Sequence, residues 1–488
     1  MGPQARRYRA RIDGSAPATG SVPRRRAGLV GLVAAEGIST IGTRTASVAI
    51  PWLVLVTTDS PTKMGVVGGS SALAFVVASM FGAPLVDWLG YRRVSIAADL
   101  FAAAALVVIA LGQGEFWLLV VMVAVVGALN AVGVQGKRVI LQPLAEAAGT
   151  PMPRVTAVYD GMSRTATLVG ASVGGILIAW RGPLWVIWLN AVTFAVCALI
   201  VAAVAKVPDE PSAQPAGAAG EAKTAGEAKT AGKAKTAGKG TAAGEGEVDG
   251  GAAGGAEKRA KEPYLTALRG GYSYLRRDRL IFGLVMVPFF TNLINQAAGS
   301  VLIPLWAFEV AGSAVALGLV NGAFAGGAIL GNVAFAALAT RLPRFPTLAV
   351  GWLVGGAPRF LVLLLSQDLP VVLVVTFLAG TAISTVNPII GALLYERVPR
   401  PLQARVFGLA GAVATGGMPL GGVGGGWAVD VFGLTAGLVA AAVVYFSATL
   451  VPLARFRSWQ RIDGEPPAEP ATGASSAPSG AGQAARSP

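Results

Sequence analysis

The sequence predicts an all-α membrane protein in which twelve transmembrane helices form two bundles of six. Composition is the first observation, because 54% of the residues are hydrophobic and only 13% are charged. Soluble domains carry about 25% charged residues, so lipid rather than water must surround most of this chain. The second observation is a row of twelve apolar stretches, and the third is a residue pattern that the two halves share.

Each apolar stretch reaches the length of about 20 residues that an α-helix needs to cross a bilayer. In the first half the stretches are residues 28–56, 64–86, 94–113, 116–136, 155–179 and 183–205. In the second half they are residues 280–308, 313–338, 346–366, 370–394, 405–429 and 434–454. Twelve such stretches in a row exclude the alternative that they are buried helices of a soluble protein.

The segments between and around these stretches are polar. They divide the chain into a basic tail (1–27), a first bundle (28–206), a linker (207–279), a second bundle (280–457) and a second tail (458–488). Residues 207–262 contain a six-residue repeat and offer little apolar surface to bury, so they and the second tail are predicted to be disordered. Residues 263–279 are predicted to form a short amphipathic helix on the membrane surface.

The distribution of positive charge predicts how the chain lies in the membrane. If the N-terminus is cytoplasmic, all but four of the 39 Lys and Arg residues, Lys137 among them, fall in cytoplasmic segments. The exceptions are Lys63 and Arg181 on the opposite face and Arg44 and Arg359 inside spans. This asymmetry follows the positive-inside rule, so both termini are predicted to be cytoplasmic, at the cell membrane. It accounts for the net charge of +14 without a nucleic-acid partner.

The two halves share residues at a nearly constant offset. Ser47-Val48-x-Ile50-Pro51 matches Ser300-Val301-x-Ile303-Pro304 at an offset of 253 residues. At an offset of 251, Arg154-Val155, Gly170, Gly174, Gly175 and Gly182 match Arg405-Val406, Gly421, Gly425, Gly426 and Gly433. Six-span halves repeated in one orientation imply a two-fold axis along the membrane normal, with a substrate site between them near the bilayer centre. This architecture is typical of transporters.

A motif after the second span resembles that of a known transporter family. Residues 83–93, Ala-Pro-Leu-Val-Asp-Trp-Leu-Gly-Tyr-Arg-Arg, resemble motif A of the major facilitator superfamily, G-x-x-x-D-R-x-G-R-R. The matching residues are Asp87, Gly90, Arg92 and Arg93, whereas Ala83 and Trp88 replace a glycine and an arginine. A degenerate copy in the second half, residues 340–344, has threonine in place of the aspartate.

Further patterns resemble drug exporters of that superfamily. The fifth span carries Gly161-x8-Gly170-Ala171-x2-Gly174-Gly175, similar to the antiporter motif with alanine in place of its proline. Residues 38–55 and 396–408 resemble the macrolide-efflux type of drug:proton antiporter. The resemblance covers about residues 28–457. It implies a monomeric secondary exporter that moves an amphipathic drug-like or natural-product molecule out across the lipid bilayer and takes protons in return, by alternating access.

Motif A implies a conformational latch on the cytoplasmic side. Gly90 permits a tight turn, and the Asp87 carboxylate can accept N–H groups from a helix N-terminus, such as that of the eleventh span near Arg405. Arg92 and Arg93 can pair with Asp87 or with carboxylates on adjacent helices. Such a latch forms only when the halves close on the inner side, so it favours an outward-facing state.

Charged residues inside the spans are the candidates for proton coupling, because charge in hydrocarbon is costly and usually functional. The chain has no histidine, so a membrane carboxylate must carry the proton. Glu36 in the first span is the first candidate, and Asp99 in the third is the second. Asp160 and Arg164 lie four residues apart in the fifth span and are predicted to pair.

Polar residues within the spans are the candidates for the substrate cavity. They are Arg44, Asn292, Asn295, Gln296 and Arg359. With no histidine and a single cysteine, Cys197, the chain cannot build a His-based catalytic triad or a Cys-cluster zinc site. It has no Walker A sequence either, so an ion gradient must supply the energy, and no cofactor, metal or enzymatic activity is predicted.

Two alternatives stay open on the sequence alone. A proton-coupled importer of a small polar metabolite would have the same fold but a denser polar lining. A membrane enzyme or a non-transporting sensor would need a catalytic cluster or an added soluble domain, and the sequence contains neither.

Overall fold

The computed structural model describes residues 22–112, 115–204 and 272–454, and helices occupy most of these ranges. In this part of the chain eleven helices are long and apolar enough to cross a membrane. The last of them, Arg405–Leu450, has 46 residues. At about 1.5 Å per residue it is long enough to cross a hydrocarbon core of about 30 Å twice. The predicted fold of twelve spans is therefore confirmed.

The first bundle consists of six helices joined by short connections, so that successive helices run antiparallel. They are α1 (Val22–Thr58), α2 (Pro61–Leu89), α3 (Tyr91–Leu111), α4 (Phe116–Ala147), α5 (Met152–Arg181) and α6 (Pro183–Val204). The sequence predicted that the fourth span ends at residue 136, before two basic residues. α4 instead continues to Ala147, because the first of these residues, Lys137, is buried in the bundle.

The second bundle contains more interrupted helices. Its elements are α7 (Arg279–Ala297), a π-helical turn (Ala298–Leu302), α8 (Ile303–Glu309), α9 (Ala314–Leu338), α10 (Arg344–Gly355), α11 (Pro358–Leu365), α12 (Leu369–Ile383), α13 (Val386–Arg397) and α14 (Arg400–Ala454). Residues 272–277 of the predicted surface helix are helical. The rest of that helix, the linker 207–262 and most of both tails lie outside the described residues.

One glycine in each bundle marks the duplication in the backbone itself. Gly182 ends α5 with φ 83° and ψ 166°, and Gly433 bends α14 with the same two angles. A positive φ is costly for residues that carry a Cβ, so each turn requires glycine. The two glycines were matched at an offset of 251 residues in the sequence, and they perform the same turn in the structure.

The two bundles meet through small residues at one face of the molecule. A Cβ added to Gly65 of α2 would lie 2.3 Å from the carbonyl oxygen of Gly422 in α14, and one added to Gly175 of α5 would lie 2.4 Å from that of Ala314 in α9. Only glycine permits such close helix packing. We call this the closed face; it carries the connection between α1 and α2.

The bundles separate toward the opposite face. Near that end of α5 and α14, a Cβ added to Gly161, Gly408 or Gly411 would meet nothing within 4 Å. Asp160 and Arg164 of α5 are exposed there as well. A cleft between the bundles therefore opens at the face where α1 begins, and we call this the open face.

Candidate functional site

Three charged side chains form a buried cluster inside the first bundle. The Nζ atom of Lys137 in α4 lies 3.1 Å from Oε2 of Glu36 in α1. The same atom lies 3.1 Å from Oδ2 of Asp99 in α3 and donates a hydrogen bond of 3.1 Å to its Oδ1. The exposed fractions of the side chains are 2% for Lys137, 9% for Glu36 and 3% for Asp99. We call these residues the charged cluster.

Glycines of α4 bring the helices of the charged cluster together. A Cβ added to Gly136 would lie 3.0 Å from the carbonyl oxygen of Tyr91 in α3. One added to Gly133 would lie 3.4 Å from Ala98 and 3.5 Å from Oδ1 of Asp99. Because α4 has no side chain at these two positions, α3 approaches it closely enough for Asp99 to contact Lys137.

The charge balance of the cluster is uneven. Two carboxylates and one ammonium sum to a charge of −1 when all three are ionised, and to zero when one carboxylate holds a proton. In a low-dielectric interior an uncompensated charge is strongly disfavoured. Two buried hydroxyls lie nearby, those of Ser95 and Tyr159, and that of Tyr159 is close to Glu36.

Sequence reasoning counted Lys137 among the cytoplasmic loop cations, which was wrong. The residue lies within a membrane span and is almost completely buried. Two buried carboxylates, Glu36 and Asp99, could have signalled that a cation was needed nearby. The corresponding positions of the second bundle, at offsets of 251 to 253 residues (287–289, 350–352 and 388–390), are all uncharged, so the duplication does not repeat this cluster there.

A second polar group lies in the second bundle, around Arg359 of α11. Its Nη2 atom donates a hydrogen bond to Oδ1 of Asn295 in α7. Both residues line a cavity of about 250 Å³. The two were predicted as residues of the substrate cavity, and the structure brings them into contact.

The other three residues predicted for the substrate cavity have different surroundings. Asn292 donates to the carbonyl oxygen of Ala414, at 3.0 Å. Gln296 donates across the bundles to the carbonyl oxygen of Gly68, at 3.2 Å. Arg44 is exposed. These three lie outside the lining of the Arg359 cavity.

The predicted pair on α5 is not formed. Asp160 and Arg164 are both exposed, and the described residues contain no ion pair between them. An exposed ion pair of this kind contributes little free energy, because water screens the attraction and ordering the side chains costs entropy. That prediction was wrong.

The residues predicted for the latch lie at the open face. Gly90 connects α2 to α3 with a φ of 87°, as the tight turn requires. Arg92 donates to the carbonyl oxygen of Ala202 in α6, at 2.7 Å, while Arg93 is exposed and Arg405 is half-buried. The backbone of Asp87 belongs to the last turn of α2, but its side chain lies outside what the structure describes.

The predicted glycine stripe of α5 divides into three environments. Gly170 packs against Ile41 of α1, and Gly174 packs against Thr45 of the same helix. Gly175 contacts Gly318 of the other bundle, whereas Gly161 faces open space. The stripe therefore joins α5 both to its own bundle and to the second one.

Two known proteins are similar in sequence to this chain along most of its length. The chain is 27% identical to the multidrug efflux pump Tap of Mycobacterium tuberculosis over 431 residues, which are 86% of this chain and 91% of the relative. It is 25% identical over 400 residues to the multidrug efflux pump Tap of Mycolicibacterium fortuitum, covering 80% of this chain and 87% of that protein.

Solved structures share the fold. The nucleoside transporter NupG, as its D323A mutant, superposes with a TM-score of 0.68 at 12% identity, covering 88% of this chain and all of that one. A bacterial homologue of the human lysosomal transporter Spinster, in an inward-facing and unoccupied conformation, gives a TM-score of 0.63 at 14% identity, over 92% of this chain and all of the homologue.

The family model of the Major Facilitator Superfamily matches residues 32–312 and 289–487. The matched segments include both bundles, and the fold agrees with structures of transporters. The predicted resemblance to this superfamily is thereby confirmed. The chain belongs to the Major Facilitator Superfamily, as a multi-pass membrane transporter rather than an enzyme.

Proposed function

We propose that this protein is an exporter that moves an amphipathic, drug-like molecule out of the cell in exchange for protons. Two relatives are multidrug efflux pumps and align with at least 80% of the chain, which supports the export of drugs. Macrolides are the first substrate class to test, because residues 38–55 and 396–408 resemble macrolide exporters.

The charged cluster is the observation that carries the proton-coupling part of the proposal. Its three groups can reach electrical neutrality only by taking up one proton on Glu36 or Asp99. When one carboxylate is protonated, Lys137 pairs with the other alone, so uptake of the proton loosens one of the contacts among α1, α3 and α4. A proton can in this way change how the helices of the first bundle pack.

The orientation of the transport cycle follows from the charge asymmetry of the loops. With both termini cytoplasmic, the open face is the cytoplasmic one, and the structure corresponds to an inward-facing state. In the outward-facing state the bundles would close at the open face, where Asp87, Arg92, Arg93 and Arg405 would then act as the latch. We propose that a single chain performs this cycle, as the resemblance to the superfamily implies.

An accumulation assay in cells tests the direction and the energy source together. Cells that express the protein should accumulate less of an exported drug than vector controls, in a panel that includes a macrolide. A protonophore should remove the difference, because no proton gradient then remains to drive export. Higher accumulation in expressing cells would instead indicate the importer, and a difference that survives the protonophore would contradict proton coupling.

A further inference from the structure

Arg359 is a buried cation whose hydrogen-bonding capacity is mostly unused. It is 9% exposed and lies in the ninth span. A guanidinium has five N–H donors. Apart from the hydrogen bond to Asn295, the described residues offer it no acceptor, its Nε is buried without a partner, and no carboxylate lies within 4 Å. A charge at this depth normally has a partner or faces a functional cavity.

Aromatic rings surround the guanidinium but provide no hydrogen-bond acceptors for the N–H groups at its edge. The Cζ atom of Arg359 lies 4.6 Å from the ring centroid of Phe360, 5.0 Å from that of Phe324 and 5.8 Å from that of Tyr445. Cation–π attraction acts through the ring faces, so it cannot replace acceptors in the plane of the guanidinium. Arg359 is thus a buried cation with unused N–H donors, and it is one of the residues that line the cavity.

The helix next to Arg359 is distorted at the same place. The turn Ala298–Leu302 is π-helical, and Ala298 and Gly299 line the cavity together with Asn295. Single π-helical turns inside α-helices occur frequently at functional sites. Gly299 is exposed, and a Cβ added there would meet nothing within 4 Å. The distortion therefore leaves an unobstructed opening on this side of the cavity.

The opening is turned toward the other bundle. Gln296 reaches Gly68 of α2, and a Cβ added to Gly68 would lie 2.5 Å from Ser300. Asn295 and Gly299 precede these two residues by one position each, so they lie beside the line where the bundles meet. Because both residues are exposed and line the cavity, a molecule in the space between the bundles is expected to enter past them.

We propose that this cavity binds the anionic group of the transported molecule, with Arg359 as its counter-ion. A carboxylate can accept two parallel hydrogen bonds from a guanidinium, and the neighbouring part of the ligand would pack on Phe324 and Phe360. Drug-sized ligands occupy pockets of about 300–1,000 Å³, so a cavity of about 250 Å³ holds the anionic end and one adjoining ring. The inference rests on the proposed function and adds amphipathic organic anions to the macrolides as a substrate class to test.

Ligand binding to the purified full-length protein tests this inference without transport. Cys197 is buried and is the only cysteine, so its reaction with a fluorogenic maleimide reports thermal unfolding. The probes are 1-naphthaleneacetate and its neutral isostere 1-naphthaleneacetamide. The acetate should raise the unfolding midpoint in a saturable manner, and the amide should require at least about tenfold higher concentrations for the same shift.

Matched variants assign the effect to Arg359. Arg359→Gln should weaken the response to the acetate by at least about tenfold. Arg181→Gln is the control, because Arg181 also stacks on an aromatic ring, Trp180, but is exposed at the end of α5. Gly299→Phe is a second test that leaves the charge in place, and it should block the opening and abolish the response to the acetate.

Equal responses to acetate and amide, or an acetate response that Arg359→Gln and Gly299→Phe both retain, would overturn the inference. If cells export drugs but the purified protein shows no preference for the acetate, the anion site is refuted and the proposed function stands. An acetate preference in a protein that lowers no drug accumulation would refute the proposed function alone.

Discussion

The ammonium of Lys137 lies 3.1 Å from the carboxylate of Glu36. Lys137 follows the predicted end of the fourth span in the sequence, yet in the structure it is the counter-ion of Glu36 in the first span. Asp99 shares the same nitrogen atom. The charged cluster therefore ties three helices of the first bundle together at one point, and its protonation state bears on both stability and coupling.

Removing the lysine should destabilise the protein. Lys137→Met leaves two buried carboxylates without a cation, and breaking a buried pair in this way costs about 3–5 kcal/mol. The unfolding midpoint, measured as the loss of helical circular dichroism on heating, should fall clearly. The double variant Lys137→Met with Asp99→Asn should recover much of the loss, because the residues are coupled.

Lys63→Met is the matched control for these variants, since Lys63 lies in the first turn of α2 and its ammonium lies over the ring of Phe116 rather than beside a carboxylate. It should change the midpoint little. Equal midpoints for Lys137→Met and the wild type would contradict a structural role for the ion pair.

Neutralising Glu36 should separate transport from its energy source. Glu36→Gln keeps the shape of the side chain but cannot bind or release a proton, so uphill export in vesicles with an imposed pH gradient should disappear. Downhill movement of the same substrate should remain. Glu146→Gln is the control and should export uphill normally. Glu146 is an exposed residue at the end of α4, and its side chain accepts a hydrogen bond only from Gln142 among those described.

Asp99→Asn distinguishes the two carboxylates. If Asp99 carries the proton, this variant rather than Glu36→Gln will abolish uphill export. Normal uphill export by both single variants would show that neither carboxylate is essential, and the coupling site would have to be sought elsewhere.

The latch should affect turnover and not folding. Asp87→Asn removes the charge that a helix N-terminus favours, and export should fall about tenfold while the amount of protein in the membrane stays normal. Asp368→Asn is the control, because that residue precedes α12 without capping it through its side chain. Full export by Asp87→Asn would contradict the role that motif A implies.

Closure at the closed face should depend on glycine. A Cβ added to Gly426 would lie 2.5 Å from the carbonyl oxygen of Pro61, whereas one added to Gly424, two residues away, would meet nothing within 4 Å. Gly426→Leu should therefore reduce export by about tenfold or more. Gly424→Leu should change it little, and a similar loss in both variants would show that the effect is not one of closure.

Much of the fold could be predicted from the sequence, because hydropathy and the repeat are local signals. Gly433 matches Gly182 in the sequence repeat, and both glycines form the same turn with the same backbone angles. The charged cluster could be predicted only in part. Lys137 follows an apolar stretch and precedes another basic residue, so the pattern along the chain resembles the end of a span, and only the packing of α1 and α3 reveals its carboxylate partners.

The cavity residues show the same limit. Asn292, Asn295 and Gln296 lie within five positions of one another, but their side chains face three different neighbours. Which of them reaches the cavity depends on the π-helical turn that follows. The residue types of Ala298–Leu302 do not predict a π-helical turn. The contact between Asn295 and Arg359 needed the three-dimensional arrangement to be seen.

The contacts at the closed face determine how strongly salt and lipid should affect the opening of the bundles there. Glycines in backbone contact hold the bundles together there, together with hydrogen bonds from Thr62 to Asp430 and from Gln296 to Gly68. The described residues show no ion pair between the bundles at this face. Dissolved salt screens exposed charges but leaves dispersion contacts unchanged, so the salinity of the medium should have little influence on opening. Helices adapt to the thickness of the surrounding lipid in part by tilting, so lipid thickness should influence the closed face more than salt does.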